Sequence, residues 1–221
     1  MTEAGRPPVL GKPRLRGVSH QWAFFVSLAT GLALVLLAPA GKATLAAVIY
    51  AVSVAALFGT SALYHRINWS SLPARRWMRR LDHSMIFLLI AGTYTPFALL
   101  ALDGTLATVI LAVVWGGALG GILLKLVWID APKLLVAMVY VALGWVAVAA
   151  FPNLIDEIGI TGTAMVAAGG VLYTLGALVY AFKRPDPAPA VFGYHEVFHA
   201  LVIAAAALQY AVIAFFVIPD A

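Results

Sequence analysis

This sequence predicts an all-α fold, a bundle of seven membrane-spanning helices, on three observations. Hydrophobic residues make up 63% of the 221-residue chain and charged residues only 10%, with a mean hydropathy of +0.98. A water-soluble domain of this length needs far less apolar surface than that. The apolar residues are gathered into seven runs, each long enough to cross a bilayer at about 1.5 Å of rise per residue. Composition also excludes several chemistries. The chain has no cysteine, which removes disulfides, thiolate metal sites and cysteine nucleophiles. Its formal net charge of +5 is not a nucleic-acid footprint, because the basic residues sit in short loops between apolar runs and report orientation instead.

Taken in order, residues 1–19 are polar, basic and proline-containing, and read as a mobile cytoplasmic tail. Residues 20–221 form the single transmembrane domain, with helices expected near 21–39, 44–65, 82–101, 105–127, 132–151, 160–182 and 194–218. Ala38-Pro39-Ala40 resembles a signal-peptide cleavage site, but the apolar region before it is long for a leader, and the first run is kept as a helix. Lys and Arg then set the orientation. Arg6, Lys12, Arg14 and Arg16 lie in the tail, and Arg66, Arg75, Arg76, Arg79 and Arg80 in the second loop. Lys125 and Lys133 flank the fourth loop, and Lys183 and Arg184 the sixth. Only Lys42 of the fourteen basic residues is left for the opposite side. The positive-inside rule therefore puts the N-terminus in the cytoplasm and the C-terminus outside.

Two helices carry further signals. Gly116-Gly117-Ala118-Leu119-Gly120-Gly121 in the fourth holds two overlapping GxxxG patterns, expected to pack within the bundle rather than form a dimer. Pro96, in Gly92-Thr93-Tyr94-Thr95-Pro96 of the third, removes a backbone bond and is expected to kink the helix, with Thr93 or a water serving the freed carbonyl.

The chemistry gathers at one side of the membrane, where all five histidines fall. His195 and His199, four apart at the entrance of the last helix, lie one turn above the other and can reach a single metal ion. An unsatisfied polar side chain at membrane depth is costly and functional by default, although a helix-entrance histidine pair can also simply cap or snorkel. His65 ends the second helix at matching depth, with Ser61 one turn deeper on the same face. Three neutral imidazoles with an open fourth position describe a catalytic zinc site, and the same set suits copper, nickel or iron. Asp82, at the start of the third helix, is either a helix-start carboxylate paired with Arg79 or Arg80, or the hydrogen-bond partner of water at the metal. His83 is expected to face elsewhere, about 100° around the helix, and His20 to be an interfacial residue. Residues 195–199 also satisfy H-E-x-x-H, with Glu196 as would-be base. A membrane-embedded protease would need a further acidic ligand, and Leu102-Asp103-Gly104, the one such element, falls on the outer side.

Three spaced motifs carry a resemblance: Ser61-Ala62-Leu63-Tyr64-His65; Leu81-Asp82-His83-Ser84-Met85-Ile86-Phe87 running into Ala91-Gly92-Thr93-Tyr94-Thr95-Pro96; and His195-Glu196-Val197-Phe198-His199. Together they resemble the bacterial hemolysin III family. That family is a branch of the progestin and adipoQ receptor group, which includes the adiponectin receptors and is related to the alkaline ceramidases. The resemblance covers essentially the whole chain. It implies zinc on His65, His195 and His199, a helix-2 serine at Ser61 and an aspartate near the zinc water at Asp82. The short tail lacks the larger cytoplasmic domain of the animal receptors.

The expected function is an intramembrane zinc hydrolase of lipid amide or ester bonds, similar to a ceramidase, acting in membrane-lipid homeostasis at the bacterial plasma membrane. Asp82 and Ser61 are its expected catalytic residues, Zn2+ its cofactor, and a ceramide-like lipid or fatty acid its partner. No nucleic-acid partner is expected, and self-association stays open. The alternatives are a non-enzymatic membrane sensor or regulator with a structural zinc site, in which metal removal should lower stability, and a cytolysin. The latter would need a soluble state that seven long apolar helices disfavour.

Overall fold

The computed structural model describes residues 12–219, and among these the fold is all-helical with no β-strand. The helices are α1 (Val18–Leu37), α2 (Lys42–Arg66), α3 (Leu72–Leu100), α4 (Gly104–Val127), α5 (Lys133–Gly144), α6 (Phe151–Phe182) and α7 (Tyr194–Val212). A 3₁₀ segment, Trp145–Ala150, joins α5 to α6, and a π segment, Ile213–Val217, extends α7. Six helical stretches among the described residues are long and apolar enough to cross a membrane, one of them the 50-residue run Lys133–Phe182. Leu37, Val127, Ile160 and Phe215 are all more than 70% exposed. Such outward apolar side chains are at ease where the solvent is hydrocarbon rather than water.

The 50-residue run is not a straight rod. Gly159 inside α6 has φ 71° and ψ 172°, a conformation that glycine enters without the Cβ clash other residues meet. Around it the chain doubles back. The ammonium of Lys133 sits 4.6 Å from the centre of the Tyr180 ring, and Trp145 Nε1 donates to Thr174 Oγ1 at 2.9 Å. The 3₁₀ segment has an identifiable cause. Tyr94 of α3 points its phenol proton between Gly144 O at 2.5 Å and Leu143 O at 3.2 Å, and accepts from the Ala147 amide at 2.7 Å. The Leu143 carbonyl and the Ala147 amide would bond each other in an α-helix. A side chain inserted between them opens the ladder, and the local helix tightens.

α3 starts earlier than the hydrophobic pattern indicates. Ser71 caps it by accepting from the Ala74 amide at 3.4 Å, and a proline occupies its first turn, a favourable start for a helix. Arg75, Arg76, Arg79 and Arg80 therefore ride on the helix rather than in a loop, and Asp82 lies ten residues inside it instead of at its start. The macrodipole explanation for Asp82 is thereby removed, since that effect fades within the first turn. Thr93 differs as well: its hydroxyl donates to Leu89 O at 2.8 Å, not to the carbonyl freed by Pro96. On α4, a Cβ added at Gly117 would press on Leu143 and one at Gly121 on Phe87, while Gly116 and Gly120 face open space. One of the two overlapping small-residue patterns thus packs inside the bundle.

The connections at the basic end are tied to one another. Arg79 donates to Asp130 at 2.8 Å and Arg76 approaches it at 3.6 Å. The Arg79 hydrogen bond holds the Asp130 carboxyl below the usual carboxylate range. Residues 1–11 of the expected tail lie outside the described residues. The adjoining segment is held: the Arg14 and Leu15 amides donate to Ala190 O and Val191 O, each at 3.0 Å. Arg16 pairs with Glu196, and Gly17, at φ 77°, lies so close to His65 that a Cβ there would come within 2.6 Å of the histidine Cβ.

Candidate metal centre

His65 lies in the last turn of α2, and His195 and His199 occupy successive turns at the start of α7. The i, i+4 spacing stacks the α7 pair on one face, and that face meets the end of α2. All three side chains are buried. His195 Nε2 and His65 Nε2 are 3.0 Å apart, and one nitrogen of each ring lies within 4.8 Å of the other two. Nitrogens sharing a tetrahedral metal at about 2.0–2.1 Å stand about 3.3 Å apart, so the donors are near the spacing a single ion requires. His199 Nδ1 is buried without a hydrogen-bond partner among the described residues. An orphaned ring nitrogen at such a place is uncommon in a folded interior. The donor set therefore fits a divalent ion.

Asp82 comes to the same place. Its Oδ2 is 3.9 Å from His65 Nε2, beyond hydrogen-bond reach and within bridging reach of a water. Ser61 Oγ lies 2.8 Å from His20 Nδ1. Glu196 is fully buried and both its oxygens are engaged. Oε1 accepts from Arg16 Nε, and Oε2 accepts from the Gly193 amide at 2.8 Å. That second bond caps α7 in capping-box fashion, so Glu196 holds the helix entrance together and is not free to act as the base of an H-E-x-x-H protease.

The centre opens into a cavity of about 160 Å³ with almost wholly apolar walls. Ser61, Asp82, His195 and His199 line one end, and Phe97, Leu102, Ile110 and Leu154 the other. Between them run the 3₁₀ segment with Trp145 and Ala147, and Tyr173 of α6.

Two residues set aside on sequence grounds belong here. His20, expected at the interface, is 2% exposed and its ring stacks on His199 with centroids 3.7 Å apart. Its signal was available: a histidine in the first turn of an apolar helix, at the same depth as the others. His83 also lines the cavity, with Nε2 3.1 Å from the Tyr180 hydroxyl and Nδ1 3.5 Å from Asp82 Oδ2. Because α3 begins so early, both Asp82 and His83 are surrounded by neighbouring helices, and the 100° between them does not take His83 out of the interior.

The sequence has relatives among known proteins. Residues 9–210 match the family described as Haemolysin-III related. Hemolysin-3 of Bacillus cereus is 33% identical over 180 residues, 81% of this chain and 78% of that protein. The Hemolysin-3 homolog of Bacillus subtilis (strain 168) is 33% identical over 168 residues, 76% and 75% respectively. More distantly, the monocyte to macrophage differentiation factor of Homo sapiens is 27% identical over 165 residues, 73% of this chain and 66% of that protein. On its sequence, its apolar helices and its relatives, the chain is a multi-pass membrane protein that belongs to the haemolysin III family.

Proposed function

We propose that the protein is an intramembrane metal-dependent hydrolase of lipid amide or ester bonds, with zinc as its ion and a ceramide-like or other acyl lipid as its substrate. The observation that carries this is the convergence of His65, His195 and His199, from opposite ends of the chain, at the head of an apolar cavity. Bound there, a divalent ion would supply Lewis-acid chemistry and lower the pKa of a water it holds. The three imidazoles would hold it in their neutral form. Asp82 would orient the attacking water, accept its proton and return that proton to the departing amine or alkoxide. Ser61, lining the same end, would donate toward the carbonyl oxygen as charge develops on it. The apolar walls would take the acyl chain and exclude bulk water.

The membrane arrangement is part of the proposal. The fold-back at Gly159 would turn the 50-residue stretch into two crossings, giving seven spans in one domain. The basic end would then face the cytoplasm of a bacterial cell and the C-terminus the outside.

The test is release of fatty acid from a defined lipid amide by the purified, zinc-loaded chain. Wild type should turn over, and Asp82→Ala should retain metal while losing activity. Turnover unaffected by that substitution would remove Asp82 from the mechanism. A second proposal, a sensor in which the ion ties α2 to α7, rests on the donors coming, among the described residues, from those two helices. It is favoured if zinc-loaded protein releases no fatty acid and metal removal sharply lowers its melting temperature.

A further inference from the structure

His20 meets the centre from a helix that supplies none of its candidate ligands. Its ring lies nearly parallel to that of His199, with 9° between the planes and centroids 3.7 Å apart. On another side it meets the edge of Phe58 at 5.0 Å. Nδ1 is 2.8 Å from Ser61 Oγ, while Nε2 is buried and finds no partner among the described residues. No nitrogen of His20 belongs to the group that could share the ion.

Packing alone does not explain an imidazole here. A phenyl ring would fill the space and stack on His199 without leaving a buried nitrogen unpaired, which is a cost to the folded chain. What the imidazole adds is the bond at Nδ1. That bond fixes rotation of the His20 ring about its own axis, and the ring face in turn limits how His199 can turn. Ring orientation matters because a ligating nitrogen must point its lone pair at the ion, and the groups that set this orientation lie behind the ligands. For His199 the contact that can set this orientation is the face of the His20 ring stacked on it.

We propose that His20 is a positioning residue of the metal centre, held by Ser61 and setting the ring plane of His199 by stacking on it. This rests on the metal reading above, and it assigns α1 a part in the site. It also gives Ser61 a duty behind the ligands that is independent of any contact with substrate.

The experiment uses the full chain in detergent with Co2+ as probe, because its visible spectrum reports ligand geometry and needs no turnover. Affinity is read by competition with a chelator for wild type, His20→Leu, His20→Phe and Ser61→Ala, with melting of the metal-free forms alongside. His20→Leu, which loses both stack and bond, should weaken cobalt binding on the order of 10- to 100-fold and change the spectrum. His20→Phe, which keeps the stack but loses the bond to Ser61, should recover only part of that affinity while melting close to wild type. Ser61→Ala should weaken binding less than His20→Leu, and should add nothing in the His20→Leu background, because its effect runs through His20. If His20→Leu does not fold, the Phe and Ala variants still decide. Wild-type affinity and spectrum in Ser61→Ala, with a Phe variant that binds as wild type does, would reduce His20 to a space-filling residue. Wild-type protein that takes up no cobalt would overturn the metal reading itself, an outcome distinct from cobalt binding that ignores these substitutions.

Discussion

The two ends of the internal cavity are built from different chemistry although the same helices run past both. At the basic end, α2, α3 and α7 bring His65, Asp82, His195 and His199 within a few ångströms of one another, and α1 adds His20. At the far end, the walls are Phe97, Leu102, Ile110 and Leu154, all apolar. The difference lies in what each end asks of its neighbours. Polar side chains at membrane depth need partners, so the basic end is cross-linked by hydrogen bonds and ion pairs between segments far apart in the chain. The far end needs only space of the right shape. One end is suited to a polar linkage and the other to a hydrocarbon chain, which is how an amphiphile would be oriented before any chemistry began.

Substitutions at each end can break or sharpen that contrast. The largest effect is expected at His65, where His65→Ala removes the sole α2 donor and should abolish measurable metal binding. Asp82→Ala comes next. It should leave metal content intact and lower turnover by about 10²- to 10⁴-fold, as loss of a general base does, measured as fatty acid released per chain. Arg16→Ala strands the buried Glu196 carboxylate and should cost about 3 kcal/mol, seen as earlier melting and quicker proteolysis of the segment around 190. At the far end, Leu154→Trp should shorten the cavity. Long-chain lipid amides should lose about tenfold in kcat/KM while short-chain ones and metal binding hold; equal losses for both lengths would show that the chain does not lie there. The smallest effect is on α4, where Gly116→Ala should stay within about 0.5 kcal/mol and Gly117→Leu, aimed at Leu143, should not.

Much of the fold was legible in the sequence because a bilayer permits few solutions. Apolar runs of the right length must be helices there, since every backbone group has to be satisfied within the segment. Expected and observed helices accordingly agree within a few residues for α1, α2, α4 and α7. The misses have local causes. The first ten residues of α3 are arginine-rich and fail any hydropathy test, yet Ser71 and a first-turn proline make them a sound helix start. The 3₁₀ segment was invisible because its cause, the Tyr94 hydroxyl, sits some fifty residues away.

The candidate ligands could be read from spacing and depth, as they share one face or one helix end. The cavity could not, because it is a property of how α3, α5, α6 and α7 lean apart. His20 and His83 differ from expectation for separate reasons: a place at a helix end suggests the interface for His20, and a 100° turn about its own helix suggests another face for His83, whereas burial is decided by which neighbours close over each.

The most direct measurement is the metal content of purified full-length protein, compared between wild type and His65→Ala under identical preparation. The account predicts one tightly held divalent ion per wild-type chain and none in the variant. A variant that keeps its ion, or a wild type that never holds one, would contradict the convergence of α2 and α7 on a shared metal.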